Sequence, residues 1–241
     1  MINLFRKSKP SVLPLQTDIH SHLLPGIDDG VQDLEQSIYI IKQMYELGYR
    51  KIITTPHIMN DFFPNNPKII KEKLKELKEE LKFLEISVTV EAAAEYYLDD
   101  YLLYMLDRQD ELLPFGDEYF LFETSFINEP IYLREILFRV TALGLKPVLA
   151  HPERYLYLQN NPDLVEELVE RGVLLQINIL SLSGYYSAEA KKLAEKLIDK
   201  EWVNFLGSDC HNERHMEGIV KVSTSKYFKK ALNLDLLNYK I

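Results

Sequence analysis

The 241-residue chain has only six histidines, and five of them fall in short motifs, four with acids beside them. Asp18-Ile19-His20-Ser21-His22 is followed by Asp28-Asp29-Gly30, and Thr55-Pro56-His57 comes next. Glu95 and Glu123 each close an apolar run, and Ala150-His151-Pro152-Glu153-Arg154 and Ser208-Asp209-Cys210-His211 complete the set. Imidazoles and carboxylates together bind divalent cations. In extended backbone, residues i and i+2 point the same way, so one cation can reach both His20 and His22, and Asp209 and His211 repeat that spacing. A donor set of nitrogen and oxygen without a cysteine cluster excludes a structural tetrathiolate zinc site and suits manganese, iron or catalytic zinc. Taken singly, His57 reads as a core histidine and a strand-end glutamate as a helix cap. Their joint occurrence points to metal. His20, His22, Asp29, His57, Glu95, Glu123, His151, Asp209 and His211 are more ligands than one ion uses, and with bridging carboxylates they suit three divalent ions. Three such ions against the four carboxylates leave a formal charge of about +2, so the substrate should be anionic. A phosphate fits, and Arg154 is placed to clamp its oxygens.

These residues need a frame that brings them together. Candidate strands lie near 14–19, 51–54, 86–92, 119–122, 145–149, 173–177 and 203–206. Helical periodicity marks 34–47, with Asp33 as N-cap and Gly48 as the stop, and 67–84, whose lysines and glutamates form a solvated face. Asn161, Pro162 and Gly172 bracket another helix, and 186–201 and 222–232 read as two more. Seven strands alternating with helices predict parallel β/α units, with closure as a barrel the economical reading and an open doubly wound sheet the alternative. Every cluster then falls at the C-terminal end of a strand, the edge where such folds assemble their sites.

The composition, 46% hydrophobic and 27% charged, is that of a globular protein, and no apolar stretch approaches the roughly 18 residues of a membrane span. A net charge of -9 disfavours nucleic acid as a partner. Nothing in the patterning singles out an oligomeric state. One cysteine, Cys210, excludes a disulfide framework and fits a reducing cytoplasm. It does not read as a phosphatase nucleophile either, because Met216 stands where a Cys-x5-Arg loop would have its arginine. No P-loop or Gly-x-Ser-x-Gly elbow occurs. Residues 1–241 are expected to form one domain, with 1–13, which include Phe5, Arg6, Lys7 and Lys9, as a flexible extension.

The motifs DIHSHLLPGIDDG, TPH, Glu95 followed by YYLD, Glu123, AHPERY and GSDCHN run in order from Asp18 to Asn212. Together they resemble the polymerase-and-histidinol-phosphatase (PHP) superfamily, and within it the bacterial manganese-dependent protein-tyrosine phosphatases of capsule and exopolysaccharide operons. The resemblance implies a distorted (β/α)7, TIM-like barrel with three metal ions, most simply manganese, with iron or zinc as alternatives. It implies a cytoplasmic enzyme that removes phosphate from the tyrosine-rich tail of a tyrosine autokinase. By position, His20, His22 and Asp209 would bind the first ion, with Glu95 bridging to a second completed by Glu123 and His151. Asp29, His57 and His211 would hold the third. Arg154, Asp209 and His211 are the implied catalytic residues, with Arg154 contacting the substrate phosphate.

Two departures stand out. Glu95-Tyr96-Tyr97 replaces the family's usual Glu-Ile-Arg, and no arginine follows Ser-Asp-x-His-Asn at the usual place, where Arg214 or His215 is the substitute. The implied reaction is metal-assisted hydrolysis of a phosphomonoester, with Asp28 and His215 as candidate general acids. The rival readings are a small-molecule phosphatase of the histidinol-phosphate type and a non-catalytic, metal-bound regulatory protein.

Overall fold

Short β-branched and aromatic runs bounded by turn residues become strands, and the charged amphipathic segments between them become helices. The computed structural model describes residues 12–241. The strands are β1 (Thr17–Asp18), β2 (Lys51–Thr54), β3 (His57–Ile58), β4 (Thr89–Ala92), β5 (Glu95–Tyr97), β6 (Tyr119–Glu123), β7 (Lys146–Ala150), β8 (Leu174–Asn178) and β9 (Val203–Gly207). The helices are α1 (Leu34–Leu47), α2 (Pro67–Phe83), α3 (Asp100–Arg108), α4 (Leu133–Ala142), α5 (Leu156–Asn160), α6 (Pro162–Glu170), α7 (Ala188–Asp199), α8 (Glu213–Val222) and α9 (Lys226–Ala231). The strands pair in parallel in the orders β1-β2-β4 and β3-β5-β6-β7-β8-β9.

The two arrays are one. β2 and β3 are a single strand interrupted at Thr55-Pro56, where proline has no N–H to donate. β4 and β5 are interrupted beside it, at Ala93-Ala94. Ala93 N still donates to Thr54 O (2.9 Å) and Glu95 N to Pro56 O (3.1 Å), so the ladder continues across the break. The outer edges then meet: Asp209 N donates to His20 O (2.8 Å) and His22 N to Cys210 O (2.9 Å). The result is a seven-unit β/α barrel, closed as the alternation of elements predicts and distorted as the resemblance implies.

Lower down, β1 and β9 are joined by a side chain. Asn238, 1% exposed, donates to Thr17 O (3.1 Å) and Leu206 O (2.9 Å) and accepts from Leu206 N (2.9 Å), standing in for a strand. Asn238→Ala strands these buried backbone groups, and we expect it to lower unfolding free energy by about 2–3 kcal/mol. A urea titration with unchanged m-value checks this, and a midpoint equal to wild type would refute it.

The interior follows the period of two. Ile53, Leu121, Val148, Ala150 and Phe205 point inward and pack with Ile19, Ala93, Phe115 and Tyr119, with Leu237 and Ile241 against them. Their neighbours Ile52, Phe120, Phe122, Leu149 and Leu206 belong to the layer under the helices. With both faces buried, the strands are apolar nearly throughout.

Several local expectations change. The strand expected at 86–92 begins at Thr89 and resumes as β5, and the one expected at 14–19 is ladder-paired only at Thr17–Asp18. The helix expected at 222–232 is the end of α8 followed by α9, restarted by the Ser225 side chain accepting from Phe228 N. Sequence periodicity did not single out α3 or α4. Asp33 and Gly48 cap α1 as expected, the glycine at φ 115°. Of the extension expected at 1–13, residues 1–11 lie outside the described residues, whereas Leu13 is buried and its N–H is bonded to Leu47 O (2.6 Å).

Candidate metal centre

Strand register sets the ligands side by side. His57 is the ladder partner of Glu95, and Tyr97 that of Glu123. The joined ends of β1 and β9 bring His20 and His22 to Asp209. The nine candidate ligands fall into overlapping groups: His20, His22 and Glu95; His57, Glu95 and Glu123; His22, Asp29, His57 and His211; and His20, His151 and Asp209. His20 Nε2 and His22 Nε2 are 3.2 Å apart, and each lies 3.4 Å from Asp209 Oδ1. Glu95 Oε2 lies 3.3 Å from His20 Nε2 and 3.1 Å from His57 Nδ1, while His151 Nε2 is 3.1 Å from Glu95 Oε1.

Partners behind the rings fix which nitrogen faces inward. His20 Nδ1 meets Gln176 Oε1 (2.8 Å), an acceptor, so that nitrogen carries the proton and Nε2 presents a lone pair. His22 Nδ1 meets Asp28 Oδ2 (2.8 Å), and His211 Nδ1 meets Asp209 O (2.9 Å), with the same consequence. Asp28 also accepts from Gly30 N and His57 N. It therefore stands behind His22 as an orienting group and does not line the cavity, which corrects its candidacy as a general acid. Gly30 is required for this packing, because a Cβ there would lie 2.2 Å from His22 O.

Glu95 Oε2 and His57 Nδ1 are buried and make no hydrogen bond despite their proximity. Buried polar atoms turned toward a common point and left without a hydrogen-bond partner are what a cation needs. The donor chemistry and this orphaned pair fit divalent metal ions.

Electrostatics give the same sign. Burial works against ionisation of Glu95, yet His20 and His57 hold it well below the usual carboxylate range. Burial is likewise outweighed at Asp209, by His20, His211 and Arg154. Burial and His22 oppose a charge on His57, but Glu95, Asp29 and Glu123 push it up to about 10. Without metal, protons on the histidines meet the demand of the carboxylates. Burial drives the Cys210 thiol up beyond any useful range, so it is no nucleophile.

Six of the candidate ligands, Asp29, His57, Glu123, His151, Asp209 and His211, line a cavity of about 490 Å³ whose walls include Phe63, Tyr97, Phe126, Tyr186, Arg154 and His215. Arg154 Nη1 donates to Asp209 Oδ2 (2.9 Å), and its guanidinium lies 4.8 Å from the Phe126 ring centroid and 4.1 Å from that of Tyr186. These two ring contacts restrain the guanidinium, which lines the cavity. Of the two substitutes for the missing arginine, His215 lines the cavity and Arg214 is exposed on α8.

Comparison with known proteins agrees with this architecture. The family model for capsular polysaccharide synthesis, CpsB/CapC, matches residues 16–236. The chain belongs to the CpsB/CapC family. Among similar proteins, tyrosine-protein phosphatase YwqE of Bacillus subtilis is 33% identical over 196 residues, covering 81% of this chain and 77% of YwqE. Tyrosine-protein phosphatase CpsB of Streptococcus pneumoniae is 30% identical over 227 residues, 90% of this chain and 93% of CpsB. A structure reported for these two as metal-dependent tyrosine phosphatases superposes with TM-score 0.77 at 30% identity, covering 91% of this chain and 94% of that one. An amidohydrolase from Mycoplasma synoviae, 13% identical with TM-score 0.55 over 94% of this chain and 88% of its own, shares the fold alone.

Sequence reasoning missed part of this CpsB/CapC site. Gln176 and Asn178 support His20 and Asp209, the latter through Asn178 Nδ2 to Asp209 Oδ2 (2.8 Å). Their signal was present: two amides at period two inside an apolar strand. Tyr186, Phe63 and Phe126 had none, since aromatic residues in loops carry no periodicity.

Proposed function

We propose that this chain is a metal-dependent protein-tyrosine phosphatase acting on a phosphotyrosine-bearing protein. Its relatives' names, its fold and its ligand clusters support this reading. The observation that carries it is the convergence of the nine ligands beside Arg154 in an aromatic-walled cavity. In this reading His20, His22 and Asp209 hold one ion, Glu95, Glu123 and His151 a second, and Asp29, His57 and His211 a third, with Glu95 shared. Manganese suits this oxygen-rich set, with iron or zinc as rivals. The physiological partner is the tail of a cytoplasmic tyrosine autokinase that controls capsule or exopolysaccharide synthesis, and residues 1–241 act as one domain. No helix among the described residues is long and apolar enough to cross a membrane.

Bound divalent ions activate water at neutral pH and offset the charge of the transferring phosphoryl group. The chain's own groups do the rest. Arg154 offers its guanidinium to the phosphate oxygens, restrained by its contacts with Phe126 and Tyr186. Phe63, stacked on His57 (5.3 Å), and Phe126, stacked on His151 (6.0 Å), give apolar walls for the phenyl ring. A phenol leaves with pKa near 10, so it demands less protonation than an alkoxide. These walls favour an aromatic phosphomonoester over histidinol phosphate.

The test uses protein reconstituted with manganese, iron or zinc. Elemental analysis should approach three ions per chain, and a phosphotyrosine peptide should be hydrolysed at least about tenfold faster than histidinol phosphate. Preference for histidinol phosphate would refute the substrate class. Chelation should abolish turnover and lower the Tm, since an ion at 100 times its Kd adds about 2.7 kcal/mol to stability.

A further inference from the structure

A second hollow, of about 600 Å³, adjoins the metal-lined cavity. The same three loops build both. Met59, Tyr97 and Phe126 line the cavity, and their chain neighbours Asn60, Leu98 and Ser125 line the hollow, so the two lie side by side along the barrel's upper edge. The hollow has two further properties. It is acidic, with Asp61, Asp99, Asp100 and Glu129 in its lining and no lysine or arginine. Its rim is apolar, with Ile131 92% and Tyr132 38% exposed.

Arg134 pairs with Glu129 (2.5 Å), whereas among the described residues no lysine or arginine pairs with Asp61, Asp99 or Asp100, and Asp99 caps α3 by accepting from Leu102 N (2.9 Å). Burial, with added repulsion from Asp61 and Asp100, raises the Asp99 carboxyl above its ordinary value. A surface that concentrates unbalanced negative charge next to exposed aliphatic and aromatic groups complements a peptide with a basic residue and an apolar one.

We infer that this hollow is the docking groove for the polypeptide flanking the phosphotyrosine, and that it selects a lysine or arginine within a few residues of the phosphorylated position. The inference rests on the phosphatase reading above. In an extended peptide, four residues span about 13 Å, and at each of the three loops the linings of the two hollows are successive residues. A cationic flank also counters the self-repulsion that an acidic enzyme and an anionic phosphopeptide would otherwise have on approach.

The test compares three phosphotyrosine peptides that differ only in flanking residues: lysine, alanine or glutamate at two to four positions on either side. Wild-type protein should prefer the lysine peptide over the glutamate peptide by about tenfold in kcat/KM, mainly through KM. Asp61→Lys/Asp100→Lys should abolish or reverse that order while leaving p-nitrophenyl phosphate turnover within about twofold, since that substrate does not reach the groove. Equal kcat/KM for the three peptides would overturn the assignment. Equal values together with self-association lost in the double variant would give the groove instead to a second copy of the chain. If wild-type protein fails to hydrolyse p-nitrophenyl phosphate, the phosphatase reading itself falls, and the groove assignment with it.

Discussion

Glu95→Gln is expected to reduce phosphatase turnover by at least about 10³-fold and to cost the chain at least one bound divalent ion. The substitution is nearly isosteric, so it changes charge and leaves volume almost unaltered. Glu95 is fully buried, and its Oε2 stands 3.1–3.5 Å from nitrogens of His20, His22 and His57. It belongs to two of the candidate ligand groups and is, among the described residues, the one carboxylate grouped with both His20–His22 and His57–Glu123. An amide at this place offers a neutral oxygen and an N–H2 that would face imidazole lone pairs or a cation. Elemental analysis beside p-nitrophenyl phosphate kinetics reads both effects. A variant with full metal content and more than about a tenth of wild-type activity would sink the proposed sharing of Glu95.

Arg154→Ala should lower kcat/KM for a phosphotyrosine peptide by about 10²–10³-fold with metal content unchanged, the range seen when one preorganised donor to a developing charge is removed. The geometry supports a large effect. The guanidinium is fixed by Asp209 at 2.9 Å and by two aromatic faces, so little reorganisation accompanies phosphate binding. Asn178 still bonds Asp209 in the variant, which preserves the ligand's position. Arg154→Lys keeps the charge but loses the planar fork, and should recover only part of the loss. If metal content falls in step with activity, Arg154 acts through Asp209 rather than on phosphate.

Much of the site could be read along the chain because its ligands come in locally spaced groups. His20 and His22 are two residues apart, Asp209 and His211 likewise, and each group ends a strand whose apolar alternation is plain. Seven strand units and the caps of α1 follow from the same local rules. Gln176 and Asn178 were legible in principle, as polar residues on the inward parity of β8. The backbone at His151 and Asp209 was not. Both adopt positive φ, 33° and 47°, although neither is glycine. Such strain persists only where surrounding contacts over-determine it, as the Glu95 contact does at His151 and the Arg154 and Asn178 bonds do at Asp209.

By itself, the sequence determined the kind of chemistry: candidate nitrogen and oxygen ligands for metal, at one edge of a β/α fold, with an arginine nearby. It did so because ligand type and strand-end position are local properties of the chain. Only the tertiary structure decided which ligands share a point, which nitrogen of each imidazole faces it, and how Asn238 joins β1 to β9. It also set an acidic hollow beside the cavity. These depend on contacts between residues as far apart as Thr17 and Asn238, 221 positions along the chain. No local spacing encodes such contacts, because closure of the barrel brings them together.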